Sequence, residues 1–337
     1  MRGPTEIAIL GGGSWGTALS LHLARAGRPV ALWVHDPVLA SRMASERLND
    51  RYLGGHPLPA GVRVTGALDD AMKEAQDILV VVPSHHCRHV LDACRPFVTE
   101  RMRFCVASKG IENETLLTVS GIVRDVLGLT AFSRTAVLSG PSFAEEVARG
   151  HPTALVVGGS DPDLVGHFQE RFSAGSLRVY TNSDSIGVEL GGALKNVIAI
   201  GAGAVEGLGY GTNTLAALIT RGLAEISRLA VAMGGRSGTL AGLAGLGDLV
   251  LTCTGRLSRN RATGEALARG VKLAQYEAGT PMVAEGVRTT RSAWLLAQRH
   301  RVEMPITEQV HALLYEGKPP AEAIRELLAR QLTNEDI

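Results

Sequence analysis

Apolar residues in the first half of the chain fall in short unbroken runs. These are Ile7–Leu10, Val30–Val34, Ile78–Val82, Phe104–Ala107, Ala136–Ser139 and Ala154–Val157. A run without polar alternation predicts a strand covered on both faces, the condition of a parallel sheet. Helical patterns lie between most of the runs, beginning with Ser14–Ala26. Strand–helix alternation of this kind predicts a doubly wound, mostly parallel α/β sheet of the Rossmann type.

The pattern changes after Thr181-Asn182-Ser183-Asp184, a string of residues suited to helix N-caps. Residues Val188 to Met233 then read as one or two long apolar helices, with Gly191, Gly192, Ala193, Gly201, Gly203 and Ala204 small enough for close backbone packing. Shorter helices are expected near Arg259–Ala268, Val287–Gln298 and Ala321–Ala329. With 337 residues, the chain exceeds what one core normally serves. The expectation is therefore a Rossmann domain over residues 1–181 and an all-α domain over 182–337.

Composition narrows the class. A net charge of +1 gives no general affinity for nucleic acid or a membrane surface, so any anion must be recognised locally. The run Ile7–Leu10 is too short for the apolar part of a signal peptide. The most apolar long stretch, Ile186–Val205, contains Glu189 and Lys195, which a membrane span rarely accepts. Cys87, Cys94, Cys105 and Cys253 form no C-x-x-C pair and read as reduced thiols of a cytoplasmic protein. Exposed apolar helix faces would allow a homodimer, but no pattern specifies one.

Gly11, Gly13 and Gly16 fit G-x-G-x-x-G between a predicted strand and a predicted helix, the context in which that motif binds a dinucleotide. Glycines allow the tight turn and the approach of the pyrophosphate, and the helix N-terminus offers N–H groups and a favourable dipole. Asp36 stands where an acid would bind the ribose of NAD; its neighbour His35 suits a 2′-phosphate, as do Arg42 and Arg47 if they are not simply solvated. NADH and NADPH both remain open.

Polar residues in apolar or glycine-rich settings mark the chemistry. Ser108-Lys109-Gly110 and Ser139-Gly140-Pro141-Ser142 follow predicted strands and should face the ligand crevice. Lys195 lies in a stretch too apolar for a solvated face, so it is either paired, with Glu189 or an aspartate, or used. Asp248, flanked by glycine, suits a buried cation. Ser258-Arg259-Asn260 reads either as a capped helix with a surface arginine or as a phosphate site. His85 and His89 could share a helix face, but no third ligand is evident, and no metal is expected.

Taken in order, several blocks resemble the bacterial-type NAD(P)-dependent sn-glycerol-3-phosphate dehydrogenases. They are Gly-Ser-Trp-Gly-Thr-Ala-Leu at 13–19, Ser-Lys-Gly at 108–110, Gly-Pro-Ser-Phe-Ala at 140–144, Leu-Lys-Asn at 194–196, Thr-Arg-Gly-Leu at 220–223, Gly-Leu-Gly-Asp-Leu at 245–249, Ser-Arg-Asn at 258–260 and Glu-Gly at 285–286. The resemblance implies reduction of dihydroxyacetone phosphate to sn-glycerol 3-phosphate, a precursor of membrane phospholipids, with NAD(P)H as cofactor. It implies that Ser14, Trp15, His35, Lys109, Ala144, Arg259, Val283 and Glu285 line the cofactor. It assigns Lys109, Gly140, Ser142, Lys195, Asp248, Ser258, Arg259 and Asn260 to the substrate, with Lys195 as proton donor and acceptor. Gly255 departs from the family's usual Ser or Asp, and Gly12 from its frequent Ala. For Lys195 to serve as acid, its pKa should fall from about 10.4 towards neutrality, by desolvation and by Lys109, with Asp248 opposing. A hydroxyacid or ketopantoate-type dehydrogenase is the nearest alternative, but lacks the Ser-Arg-Asn block. A cofactor-sensing protein without turnover would not need Lys109, Lys195 and Asp248 together.

Overall fold

The computed structural model describes residues 6–279, 284–332 and 334. One eight-stranded sheet is built from β1 (Glu6–Leu10), β2 (Val30–Trp33), β3 (Val62–Thr65), β4 (Ala75–Val80), β5 (Arg103–Val106), β6 (Thr135–Ser139), β7 (Thr153–Gly158) and β8 (Leu177–Asn182). Their order is β3-β2-β1-β4-β5-β6-β7-β8. Pairing is parallel except between β6 and β7, so the sheet is the doubly wound, mostly parallel kind expected. The strand order reverses between β1 and β4. Ligands of such sheets bind beyond the strand ends at that reversal, which places the loops after β1 and β4 at the crevice.

The central strands are legible because each carries an unbroken apolar run; Ile7, Ile9, Leu32 and Leu79 belong to one core with Leu19, Leu21, Leu23 and Phe168. The two edge strands β3 and β8 do not follow the expectation of continuous runs. In β8, Leu177 and Val179 point inward while Arg178 and Tyr180 are exposed, an alternation suited to an edge covered on one face. It also absorbs Thr181 and Asn182, which the sequence suggests as caps. β4 begins earlier than Ile78, because Asp77 sits in a strand yet is buried. Its carboxylate accepts from Arg103, His167 and Arg171 at 2.8–3.0 Å. Burial would push this carboxyl up, but His167 and Arg103 hold it below the usual carboxylate range.

Two compact units are present. The first comprises residues up to Lys109 and Leu117–Ser185; the second comprises Gly110–Leu116 and residues from Ile186 onward. Assigning all of 1–181 to one domain therefore misplaces the short segment 110–116. Ile111 and Leu116 join the helical core with Leu190, Leu194 and Leu296, and Ser292 Oγ donates to Ile111 O at 3.3 Å. Partners 181 residues apart leave no local sequence signal.

In the second unit the long apolar stretch forms two helices, Ser185–Gly207 and Thr212–Ala232, separated at Gly209 (φ 78°). The first is the one described helix long and apolar enough to cross a membrane, and 94% of its most apolar stretch is buried inside the protein. A Cβ on Gly203 would lie 1.8 Å from Arg261 O, and one on Gly264 would lie 1.9 Å from Ile200 O. Helices Ser185–Gly207 and Arg259–Ala268 thus meet backbone to backbone. Glu285–His300, Pro305–Tyr315 and Pro320–Leu328 complete the unit. Buried Glu225 accepts from Ile306 N and Thr307 N at 2.5 and 3.1 Å, satisfying the start of the second of these.

Candidate active site

The described residues singled out by sequence divide between the two units. In the first, the chain leaves β1 at Gly11 with φ 129°, where a Cβ would strike Val81 O at 2.7 Å. A Cβ on Gly16 would lie 1.9 Å from Gly11 O, so these two glycines close the turn. Gly12 is also confined: its Cβ would meet Val34 Cγ2 at 2.6 Å, so an alanine here requires Val34 to move. Gly13 differs, with nothing within 4 Å of a built Cβ. It is the N-cap of helix Ser14–Arg25 and no side chain caps that helix. A turn that keeps its helix end uncapped and leaves open space at Gly13 fits a pyrophosphate. The buried indole Nε1 of Trp15 has no hydrogen-bond partner among the described residues, a second feature that suits a polar ligand.

Neighbouring elements brace this turn. Asn49 Nδ2 donates to Gly12 O at 2.9 Å and to Thr17 Oγ1 at 2.8 Å, and Ser14 Oγ donates to Tyr52 O at 2.7 Å. Neither Asn49 nor Tyr52 is signalled by sequence, since a lone asparagine in a loop has no pattern. Ala144 opens the short helix Ala144–Arg149, which packs against helix Ser14–Arg25, and with Trp15 it borders the same core. His35 is exposed beyond β2, its ring edge-on to Trp33 at 5.7 Å. Arg47 donates to the carbonyls of Leu58, Pro59 and Val62, and Arg42 pairs with Asp50, so both have structural occupations.

At the ends of β5 and β6, Lys109 Nζ donates to Gly140 O at 3.3 Å, and Ser142 Oγ donates to the same oxygen at 3.0 Å. Gly140 has φ 124°, a conformation that L-residues rarely adopt. Lys109, Gly140 and Ser142 are thus brought together. His85 and His86 rings lie 4.0 Å apart, and among the described residues no three His, Cys, Asp or Glu gather as a metal set.

In the second unit Lys195 lies midway along helix Ser185–Gly207 and is 6% exposed; Asp248 is 0% exposed. Lys195 Nζ donates to Asp248 Oδ1 and, at 2.8 Å, to Thr252 Oγ1. Glycine makes the meeting possible. Gly191 precedes Lys195 by one turn, and its Cβ would lie 2.5 Å from Ala244 O; a Cβ on Gly245 would lie 2.0 Å from Leu240 O. The loop delivering Asp248 therefore rests directly on the lysine helix. Thr252 was not singled out by sequence. Its signal is the i, i+4 spacing from Asp248 on helix Asp248–Thr254.

Ser258 caps helix Arg259–Ala268, its Oγ accepting from Arg261 N at 3.2 Å. Arg259 is exposed, and among the described residues no carboxylate pairs with it, whereas Arg261 pairs with Glu206. Asn260 is occupied in a way the motif does not reveal. Its Nδ2 donates to Asn196 Oδ1 and its Oδ1 accepts from Gly286 N, both at 2.9 Å. It therefore ties the residue after Lys195 to the start of helix Glu285–His300, where Glu285 is the first residue. Val283 lies outside the described residues.

Two family models match the chain. The NAD-dependent glycerol-3-phosphate dehydrogenase N-terminus covers residues 6–165, and the C-terminus of the same family covers 184–325. A relative from Koribacter versatilis, named glycerol-3-phosphate dehydrogenase (NAD(P)+), is 50% identical over 333 residues, spanning 98% of this chain and 99% of its own. One of the same name from Nitratidesulfovibrio vulgaris is 51% identical over 330 residues, spanning 98% and 100%. The crystal structure of glycerol-3-phosphate dehydrogenase from Coxiella burnetii superposes with a TM-score of 0.93 at 42% identity, covering 97% of this chain and 99% of that one.

Proposed function

We infer the reaction from the family to which the chain belongs, the NAD-dependent glycerol-3-phosphate dehydrogenases. The protein is an NAD(P)-dependent oxidoreductase that reduces dihydroxyacetone phosphate to sn-glycerol 3-phosphate, reversibly. Its product is a backbone for glycerophospholipids. The bound reduced dinucleotide supplies the hydride.

Gly11, Gly13, Ser14, Trp15 and Gly16 hold the dinucleotide, with His35 and Ala144 at its borders. Support comes from the open space at Gly13 and the unpartnered Trp15 indole. Arg259, Val283 and Glu285 are assigned to the same ligand by the family motif alone. Lys195 gives an Nζ proton to the C2 oxygen of the ketone and takes it back in the reverse direction. The observation that carries this role is the buried Lys195–Asp248–Thr252 group, in which two acceptors fix Nζ and one balances its charge. Lys109 adds a second cation for the charge that develops on that oxygen, with Gly140 O accepting from its ammonium group and from Ser142 Oγ. Ser258 and Arg259 hold the substrate phosphate at a helix N-terminus, with Asn260 bracing them against Asn196. Remote phosphate binding then orients the ketone for reaction. Four buried thiols, none of them in a disulfide, support a reducing, cytoplasmic setting.

The test is loss of nicotinamide absorbance with dihydroxyacetone phosphate, run in parallel with NADH and NADPH. Oxidation is expected with at least one. Lys195→Ala should abolish turnover and leave dinucleotide binding nearly intact; near-normal turnover would remove Lys195 from proton transfer.

A further inference from the structure

The acid at the end of β2 does not stand as a free ribose ligand. Asp36 is the N-cap of helix Pro37–Glu46, and its Oδ1 accepts from Val38 N at 3.0 Å and Leu39 N at 3.1 Å. Its other oxygen meets Arg51 at 3.4 Å, a single long contact in which both side chains are close to half exposed. An acid that selects NADH must accept from a ribose hydroxyl. Here that would require Oδ2 to give up Arg51 while Oδ1 stays committed to the helix.

Arg51 is held where the dinucleotide is expected to run. The turn that carries it is anchored to the glycine loop through Asn49 and through the Ser14–Tyr52 contact. Its guanidinium lies over the Tyr52 ring at 5.3 Å, which limits its directions. His35, exposed at the end of β2, adds a second donor of the same kind. A phosphate monoester carries about −1.5 to −2 charge and three acceptor oxygens, so it needs only to displace one weak contact to Asp36.

We propose that Arg51 sets cofactor choice by pairing with a 2′-phosphate, so that this protein prefers NADPH to NADH. The inference rests on the dinucleotide reading of the glycine loop.

Binding of NADPH and NADH is measured by titration calorimetry on the full chain, with 2′-AMP and 5′-AMP as fragment probes. Wild type should bind NADPH at least tenfold more tightly than NADH, and 2′-AMP more tightly than 5′-AMP. Arg51→Ala should weaken NADPH about tenfold, the order of one charge-assisted contact, and leave NADH within about twofold. Arg51→Lys should recover part of the loss. Asp36→Asn keeps the cap, and should leave NADH unchanged. Equal loss of both dinucleotides in Arg51→Ala, or no loss, overturns the proposal, as does selective weakening of NADH by Asp36→Asn. Failure of wild type to bind either dinucleotide would refute the glycine-loop site itself, a separate outcome.

Discussion

Replacing Asp248 by alanine removes a carboxylate that accepts from a lysine 6% exposed, while Thr252 Oγ1 still accepts from its ammonium. Breaking one partner of a buried pair costs about 3–5 kcal/mol, most of it the penalty of the stranded charge. For a unit of this size each kcal/mol lowers Tm by about 2–4 °C, so the helical transition should fall by about 6–20 °C. The sign with pH follows from the same charge. A buried lysine that loses a carboxylate partner has its folded pKa pushed down, so stability rises as pH increases from that value towards the unfolded value near 10.4. The deficit of Asp248→Ala should therefore shrink between neutral pH and pH ~10. Adding Lys195→Met to the variant removes the stranded charge and should restore most of the lost Tm at pH 7. Thermal unfolding followed by circular dichroism, across pH and through the double-mutant cycle, reads all three effects. A loss below about 1 kcal/mol, or a double variant no more stable than the single one, would refute a charged, mutually dependent pair.

Two other outcomes follow from the geometry. On the proposed role of its guanidinium in holding the substrate phosphate, Arg259→Ala should raise the KM for dihydroxyacetone phosphate by about tenfold or more with a smaller change in kcat; steady-state kinetics with an unchanged KM would remove it from that role. Burial pushes the Glu225 carboxyl up to about 7, against the backbone N–H groups of Ile306 and Thr307. Its folded pKa exceeds the unfolded one, so the associated stability is complete below about pH 4.5 and is lost as pH rises through about 7, on the order of 3 kcal/mol in all. Glu225→Gln should flatten that part of the stability–pH curve in denaturant titrations, and an unaltered slope would show that the group does not titrate there.

Sequence patterning reached the centre of the sheet because strands buried on both faces must be apolar throughout. It failed at β3 and β8, where only one face needs covering and Arg63, Arg178 and Tyr180 interrupt the run. It also failed at Asp77, whose burial is compensated by three partners from distant positions. In the candidate site, Lys195 and Asp248 stood out because a charge within apolar sequence requires a reason. Thr252, Asn49 and Asn196 did not, since hydroxyls and amides are common in loops and helices and only their partners distinguish them. Asp36 shows the converse: its position invites a ribose contact, while one carboxylate oxygen caps a helix and the other meets Arg51.

The segment 110–116 has a consequence for the order of synthesis. The first unit is otherwise complete once Ser185 has emerged, yet Ile111 and Leu116 belong to a core whose members include Ala293 and Leu296. At about 5–20 residues per second, the ribosome needs roughly five to twenty seconds to reach them. Throughout that interval a nascent Rossmann sheet carries two apolar side chains with their final neighbours still unmade. Chaperone contact during translation should therefore persist past the end of the sheet and cease only when helix Glu285–His300 has appeared.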